Sequence, residues 1–277
     1  MENTGTSLAK DGKYRGYQLD PFQLEAIKYI EQGHSVLVSA PTGVGKTLIA
    51  DYVIEKSFRE GKQVIFTAPI KALSNQKFKE FKRLLGEEAV GILTGDVVVN
   101  QDAPILIMTT EIFRNLLHAD TYRIKNVAYV IFDEIHYIDD LERGSVWEES
   151  LIFMPPQMRF LGLSATIPNV QELASWIGEI HQQDIKIVYH HQRAVPLEHH
   201  LYEVKRGLCT RKQLMKYLKR LISKNALVKA PSTTHLDLLQ YIGEGYFPCL
   251  FFMFSRRKCE ISAQELAREE DYLNYQE

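Results

Sequence analysis

Hydrophobic residues along this chain fall into short uninterrupted runs separated by segments of helical spacing. The runs are Ser35 to Ser39, Gln63 to Thr67, Ile105 to Thr109, Val127 to Phe132, Phe160 to Leu163 and Ile185 to Tyr189. They are continuous rather than alternating, which is the pattern of strands buried on both faces. Helical patterns begin near Thr47, Ile70, Thr110, Val146 and Asn169. An earlier helix is predicted at Asp20-Pro21, with Asp as N-cap, Pro at the first helical position, and Leu24, Ile27 and Ile30 at helical spacing. Repeated strand-helix alternation predicts an α/β fold with a mostly parallel sheet covered by helices. Residues 1–16 lack any periodicity and read as a flexible lead-in.

Past Tyr189 the pattern changes. Lys205 to Lys229 holds nine Lys or Arg and no acidic residue, partly on a helix with Leu214, Leu218, Leu221 and Ile222 along one face. It reads as a solvated linker more readily than as a nucleic-acid contact. A helix from about His235, a strand over Cys249 to Phe254 and a helix over Lys258 to Arg268 follow, too few elements for a domain. The predicted organisation is a lead-in (1–16), a first lobe (17–190), a basic connector (191–232) and the start of a second lobe (233–277).

Composition narrows the function classes. A chain of 277 residues with 45% hydrophobic and 25% charged residues is neither collagen-like nor disordered. A net charge of −2 argues against wrapping nucleic acid by bulk positive charge, so any such site must be built locally. Cys209, Cys249 and Cys259 fit neither a C-x-x-C metal pattern nor a disulfide framework and read as reduced thiols. The apolar runs fall short of the roughly 20 residues of a membrane helix, and the polar N-terminus carries no signal-peptide pattern. An intracellular protein without a membrane partner is expected, cytoplasmic or nuclear. His190-His191 and His199-His200 lack a Cys or carboxylate to complete a metal set, and Trp147 and Trp176 sit on helical patterns as core residues.

The candidate chemistry starts where the strand Ser35 to Ser39 runs into Ala40-Pro-Thr-Gly-Val-Gly-Lys-Thr47 and then a helical pattern, the context of a P-loop. Gly43 and Gly45 let the backbone of Ala40, Pro41, Thr42, Val44 and their neighbours curl so that N–H groups converge, and the helix dipole adds positive charge. Lys46 would reach the β- and γ-phosphates and the Thr47 hydroxyl would ligate Mg²⁺. The first Gly of the usual motif is Ala40 here, and on the string alone a glycine turn capping a helix is an equal reading. The apolar strand Val127 to Phe132 then ends in Asp133-Glu134-Ile135-His136. Two consecutive carboxylates at the carboxyl end of a buried strand suit Mg²⁺ at Asp133 and deprotonation of an attacking water at Glu134; the alternative is that they cap the next helix.

With both motifs placed, the sequence resembles superfamily 2 DExH-box helicases, and closely the Superkiller-type RNA helicases with their exosome-assisting members. The resemblance runs from about Tyr17 to Ala267. It is carried by Leu19-Asp-Pro-Phe-Gln23, the P-loop, Thr67 to Lys77, Thr94-Gly-Asp96, Met108 to Arg114, Asp133 to His136, Arg143-Gly-x-x-Trp-Glu-Glu149 and Ser164-Ala-Thr-Ile-Pro-Asn169, in the family's order. Departures are Gly43-Val44, where that group more often has Ser-Ala, and Tyr17, where the aromatic is often Phe.

The resemblance implies a RecA-like P-loop NTPase lobe, ATP rather than GTP as cofactor, Tyr17 near the adenine and Gln23 on its edge. It also implies that Ser164 and Thr166 link hydrolysis to RNA movement and that His136 bridges to a partner lobe. On their own, Ser164 to Thr166 would be an ordinary polar cluster leaving a strand. For RNA, Pro69, Lys71, Ala72, Thr94, Gly95, Thr109, Thr110 and Arg114 sit at predicted strand ends and helix starts, where backbone N–H groups and short hydroxyls hold phosphates without base readout. The single-stranded RNA or 3′-tailed RNA duplex, and an exosome-type RNA-decay complex as partner, are implied by the family. So is an arginine finger from a second lobe; Phe251 to Arg256 resembles that lobe's opening, and the chain alone is expected to be inactive. A related DNA helicase and a nucleotide-binding scaffold without catalysis remain as alternatives.

Overall fold

The uninterrupted apolar runs become the strands of one sheet because both of its faces are covered. The computed structural model describes residue 9 and residues 11–119, 122–165, 167–204, 206–223, 233–246 and 248–269. Contacts divide the chain into two units, Met1–Pro196 and Leu197–Glu277.

In the first unit, a hairpin of β1 (Lys13–Tyr14) and β2 (Tyr17–Gln18) precedes α1 (Pro21–Glu31). There follow β3 (Val36–Ser39), α2 (Thr47–Arg59), β4 (Gln63–Ala68), α3 (Lys71–Leu85), β5 (Val90–Leu93), β6 (Val98–Val99) and β7 (Ile105–Thr109). The unit continues with α4 (Thr110–Ala119), β8 (Val127–Phe132), a 3-10 turn at Ile135–Asp139, α5 (Gly144–Phe153), β9 (Arg159–Ser164), α6 (Val170–His181) and β10 (Lys186–Tyr189). The eight-stranded sheet has the order β10-β3-β9-β8-β4-β7-β5-β6 and is parallel except for the β5–β6 pair.

Side chains alternate across this sheet with period two. Val36, Val38, Val64, Phe66, Tyr129 and Ile131 join Ile30 of α1, Ile49 and Val53 of α2 and Phe81 of α3 in one apolar cluster. Leu37, Ile65, Val130 and Phe132 join Phe113 of α4, Trp147 and Leu151 of α5 and Ile177 of α6 in the other. Each such buried side chain contributes about 1.5–3 kcal/mol relative to exposure, which ties the strands in register. Trp147 is wholly buried, as its helical spacing predicted, and Trp176 packs partly buried against the second cluster.

Three sequence expectations change. Residues 11–16, read as part of a flexible lead-in, are structured: Tyr14 is buried and belongs to a separate cluster with Leu19, Ile27 and Tyr52. Strands β5 and β6 were not anticipated. Their signal is the short run Val90 to Leu93 followed by the Thr94-Gly95-Asp96 turn, too brief to separate from a loop by periodicity. The strand predicted over Cys249 to Phe254 does not form; Leu250, Phe252 and Phe254 are exposed. A strand exists only where a neighbour takes up its backbone hydrogen bonds, whatever its propensity.

The second unit holds an antiparallel pair, β11 (Leu201–Glu203) and β12 (Gly207–Cys209), then α7 (Arg211–Ser223), α8 (His235–Ile242) and α9 (Arg256–Glu269). Tyr202 donates its hydroxyl to the Asp237 carbonyl at 3.0 Å and packs on Tyr241, tying the hairpin to α8. The basic helix α7 leaves Lys212, Lys216 and Lys219 in solvent. Lys205 and Lys229 lie outside the described residues.

Candidate active site

Motifs scattered along the sequence meet because parallel strands present all their carboxyl ends at one edge. Ser39 of β3 pairs in register with Ser164 of β9, Phe132 of β8 with Gly162 of β9, Thr67 of β4 with Phe132, and Ala68 with Thr109 of β7. The loop after β3, the Ser164-Ala165 step and the Asp133-Glu134 pair therefore leave adjacent strands side by side. Backbone bonds fix the exits: Ala40 N–H donates to the Ser164 carbonyl at 3.2 Å, and Asp133 N–H to the Thr67 carbonyl at 3.0 Å. Ser39 Oγ accepts the Ile167 N–H at 3.2 Å. This serine is a positioning residue that the sequence reading passed over as the end of a strand.

In the loop, Gly43 and Gly45 have φ of +85° and +84°, a backbone region that other residues adopt at a cost. A Cβ on Gly45 would also lie 2.8 Å from Gln23 Nε2. Lys46 Nζ donates to the carbonyls of Ala40 and Pro41 at 2.8 and 3.0 Å. Burial holds its pKa below the ordinary lysine value, outweighing the opposite pull of Glu134 and Asp133. Thr47, exposed, opens α2 directly after the loop.

Burial above all, and then the adjacent Glu134 charge, push the Asp133 carboxyl up to about 6, against a backbone bond from Glu134 and the attraction of Lys77 and Lys46. Glu134 itself adopts a left-handed conformation, φ 54° and ψ 45°. Such a backbone costs about 1–3 kcal/mol for a non-glycine residue and is typical of functional positions. It turns the chain sharply out of the sheet into the 3-10 turn. His136 Nδ1 on that turn lies 3.3 Å from Glu134 Oε2, an ion-pair distance without hydrogen-bond alignment. The turn abuts the start of α5 so closely that a Cβ on Gly144 would fall 2.3 Å from the Ile138 carbonyl oxygen. That contact is the physical reason for glycine in the Arg143-Gly144 step. Ser164 Oγ is buried and has no hydrogen-bond partner among the described residues. Thr166 lies outside the described residues.

Gln23 is engaged at both ends of its amide: Oε1 accepts the Asp20 N–H at 2.8 Å, and Nε2 donates to the Gly45 carbonyl at 2.9 Å. It couples the start of α1 to the loop after β3. Tyr17 is 62% exposed and shares a cleft of about 850 Å³ with Gly45, Thr47, Leu48 and Asp51.

Asp51 was not singled out by sequence. It is 5% exposed on α2, with Oδ2 on Arg15 Nη1 at 3.2 Å and Oδ1 buried without a partner among the described residues. Burial pushes its pKa from 3.8 up to about 6, against Lys77 and Arg15. Because the folded-state value lies above the unfolded one, folding favours the neutral acid. That stability is whole below pH 3.8 and lost as pH rises through about 6. The shift corresponds to about 3 kcal/mol. Thermal melts of the protein are expected to fall from about pH 4 to about pH 6.5, and Asp51→Asn to reduce that fall without removing it, since Asp133 contributes with the same sign. An identical pH profile in the variant would refute the assignment.

The residues predicted for RNA divide by exposure. Lys71, Ala72 and Gly95 are exposed, and Lys71 is paired with Asp96. Arg114 is half-buried, 3.8 Å from Glu149 and bonded to Asn115. Pro69, Thr94, Thr109 and Thr110 are buried, and the Thr94 hydroxyl already accepts the Val97 N–H at 3.2 Å. What these positions offer is backbone at the starts of α3 and α4, which follow the neighbouring strands β4 and β7. His190 stacks on Phe22 and His191 on Tyr189, while His200 faces Glu198 at 3.3 Å. Among the described residues, no group of three or more His, Cys, Asp or Glu is placed to hold a metal.

A model of the DEAD/DEAH box helicase family matches residues 20–173. The chain is 39% identical over 282 residues to the ATP-dependent RNA helicase mtr4 of Schizosaccharomyces pombe, covering 91% of this chain and 25% of that protein. It is 45% identical over 205 residues to the antiviral helicase SKI2 of Saccharomyces cerevisiae, covering 74% and 16%. To the exosome RNA helicase MTR4 of Homo sapiens it is 37% identical over 282 residues, covering 94% and 27%. The chain thus spans about a quarter of the length of such relatives. Among solved structures, the DUF1998 helicase MrfA shares the fold at 19% identity, with a TM-score of 0.59 over 95% of this chain and 40% of that one.

Proposed function

Because the chain belongs to the DEAD/DEAH box helicase family, we propose that it is the nucleotide-binding lobe of an ATP-dependent RNA helicase of the Superkiller type, acting in RNA processing or decay. The observation that carries this reading is the convergence, on three adjacent parallel strand ends, of the Gly43–Thr47 loop, Asp133-Glu134 and Ser164. Lys46 feels both carboxylates although they lie far away in sequence.

The residues present fit ATP with a divalent cation. Gly43 and Gly45, both left-handed, give the loop the curl that a phosphate cradle requires. Asp133, held up by burial and by its neighbour's charge, is a carboxylate that a cation would relieve. Thr47 and Asp133 would hold Mg²⁺, which when bound neutralises charge on the β- and γ-phosphates. Lys46 draws the same phosphates by charge-assisted hydrogen bonds. Glu134, turned out of the sheet by its left-handed backbone, orients and deprotonates the attacking water. His136, beside Glu134, and Ser164, with its free hydroxyl, are the groups through which the site would sense a second lobe and the RNA strand.

For RNA we assign the carboxyl edge over β4, β5 and β7. Exposed backbone at Lys71, Ala72 and Gly95 and the first amides of α3 and α4 hold phosphates, with salt-sensitive attraction from Lys71 and Arg114. A near-neutral protein can bind nucleic acid in this way. The ligand is single-stranded RNA or a 3′-tailed duplex, and an exosome-type assembly inside the cell is the partner that the relatives' names suggest. The test compares ATP hydrolysis by the full-length protein with and without single-stranded RNA or DNA of one sequence. Stimulation by RNA above DNA is expected; equal or greater stimulation by DNA would move the assignment to a DNA translocase.

A further inference from the structure

The hairpin ahead of α1 is held by contacts that the phosphate loop does not need. Its two turn residues, Arg15 and Gly16, have φ of +50° and +83°, the left-handed pair required by a tight two-residue connection. Asn, Asp or Gly would fill the first position with less strain. Arg15 keeps it through its side chain: Nη1 reaches Asp51 Oδ2 and Nε reaches Glu55 Oε2, each at 3.2 Å. Tyr14 donates its hydroxyl to the same Glu55 oxygen at 2.8 Å, and its ring lies 5.2 Å from the Arg15 guanidinium. Asp51 and Glu55 belong to α2, the helix that begins at Thr47. Two residues beyond Arg15, Tyr17 projects into the cleft lined by Gly45, Thr47 and Leu48.

We propose that Arg15 is a positioning residue: by bridging Asp51 and Glu55 it fixes the hairpin so that Tyr17 covers the base of a bound purine nucleotide. Arg15 then sets affinity for the base-bearing ligand and leaves the grip on the phosphates alone. A guanidinium fork can serve two carboxylates at once, which a lysine ammonium does less well. The inference rests on the reading that Ala40 to Thr47 bind a nucleotide.

The test measures affinity of the full-length protein for a non-hydrolysable ATP analogue and for inorganic tripolyphosphate, which has no base. The proteins compared are wild type, Arg15→Ala, Arg15→Lys, Tyr17→Ala and the Arg15→Ala/Tyr17→Ala double variant. Tyr17→Ala is expected to weaken the analogue about tenfold, the scale of one base stacked on an aromatic ring, and Arg15→Ala about three- to tenfold. Arg15→Lys recovers part of the loss, tripolyphosphate binds every variant like wild type, and the double variant is no weaker than Tyr17→Ala. Equal loss of both ligands in Arg15→Ala would mean a merely structural role and overturn the proposal. So would additive losses in the double variant, or an unchanged affinity for the analogue. If wild type binds neither ligand, the nucleotide reading itself fails, and this inference with it.

Discussion

In the full-length protein, Glu134→Gln lowers the rate of ATP hydrolysis by about 10²–10⁴-fold, the usual contribution of a positioned general base. The substitution keeps the size of the side chain and leaves the backbone at φ 54° undisturbed, so the sharp exit from β8 is retained. What it removes is the proton acceptor and one negative charge beside Asp133. Since the Glu134 charge is one of the causes that raise the Asp133 pKa, the variant's Asp133 ionises more readily. Nucleotide affinity is therefore expected to hold or improve while turnover collapses. Steady-state hydrolysis together with equilibrium ATP binding checks both halves. Unchanged turnover would return the protein to the class of nucleotide-binding scaffolds.

The second large effect is at Lys46. Lys46→Ala is expected to reduce kcat/KM for ATP by about 10²–10³, the scale for removing one preorganised charge from a phosphoryl-transfer site. The ammonium is half-buried, anchored on the carbonyls of Ala40 and Pro41 and within the field of both carboxylates. Arginine would not restore the function, because a planar fork cannot occupy the compact position of an ammonium inside the loop. The measurement is kcat/KM for Lys46→Ala and Lys46→Arg alongside their melting temperatures. Wild-type efficiency in either variant would remove Lys46 from the site.

Six of the sheet's eight strands, the helices on either face and the turns after β3 and β8 were legible because each leaves a local trace, whereas β5 and β6 were not. A run such as Val127 to Phe132 has no polar face, so it had to be buried on both sides. Gly43 and Gly45 are legible for a related reason: a left-handed turn admits little else. The segment Cys249 to Phe254 has the same apolar character and yet forms no strand, which shows that the trace reports a capacity that only a neighbouring strand realises. Likewise Thr109 and Thr110 looked like hydroxyls available to a ligand, and burial beneath the start of α4 withdraws their side chains while leaving the backbone there.

Alone, then, the order of residues determined the class of fold, the chemical groups of the site and their place at strand ends, because hydrophobic period and turn chemistry are properties of neighbours in the chain. Tertiary structure decided which groups face one another. It set β9 between β3 and β8, gave Glu134 its left-handed exit and desolvated Asp133 and Asp51. It also clamped Arg15 onto Asp51 and Glu55, about one turn apart on α2, where nothing in residues 13–18 announced a partner. Distances and dielectric surroundings arise only when distant segments pack, and pKa values and positioning contacts follow from them.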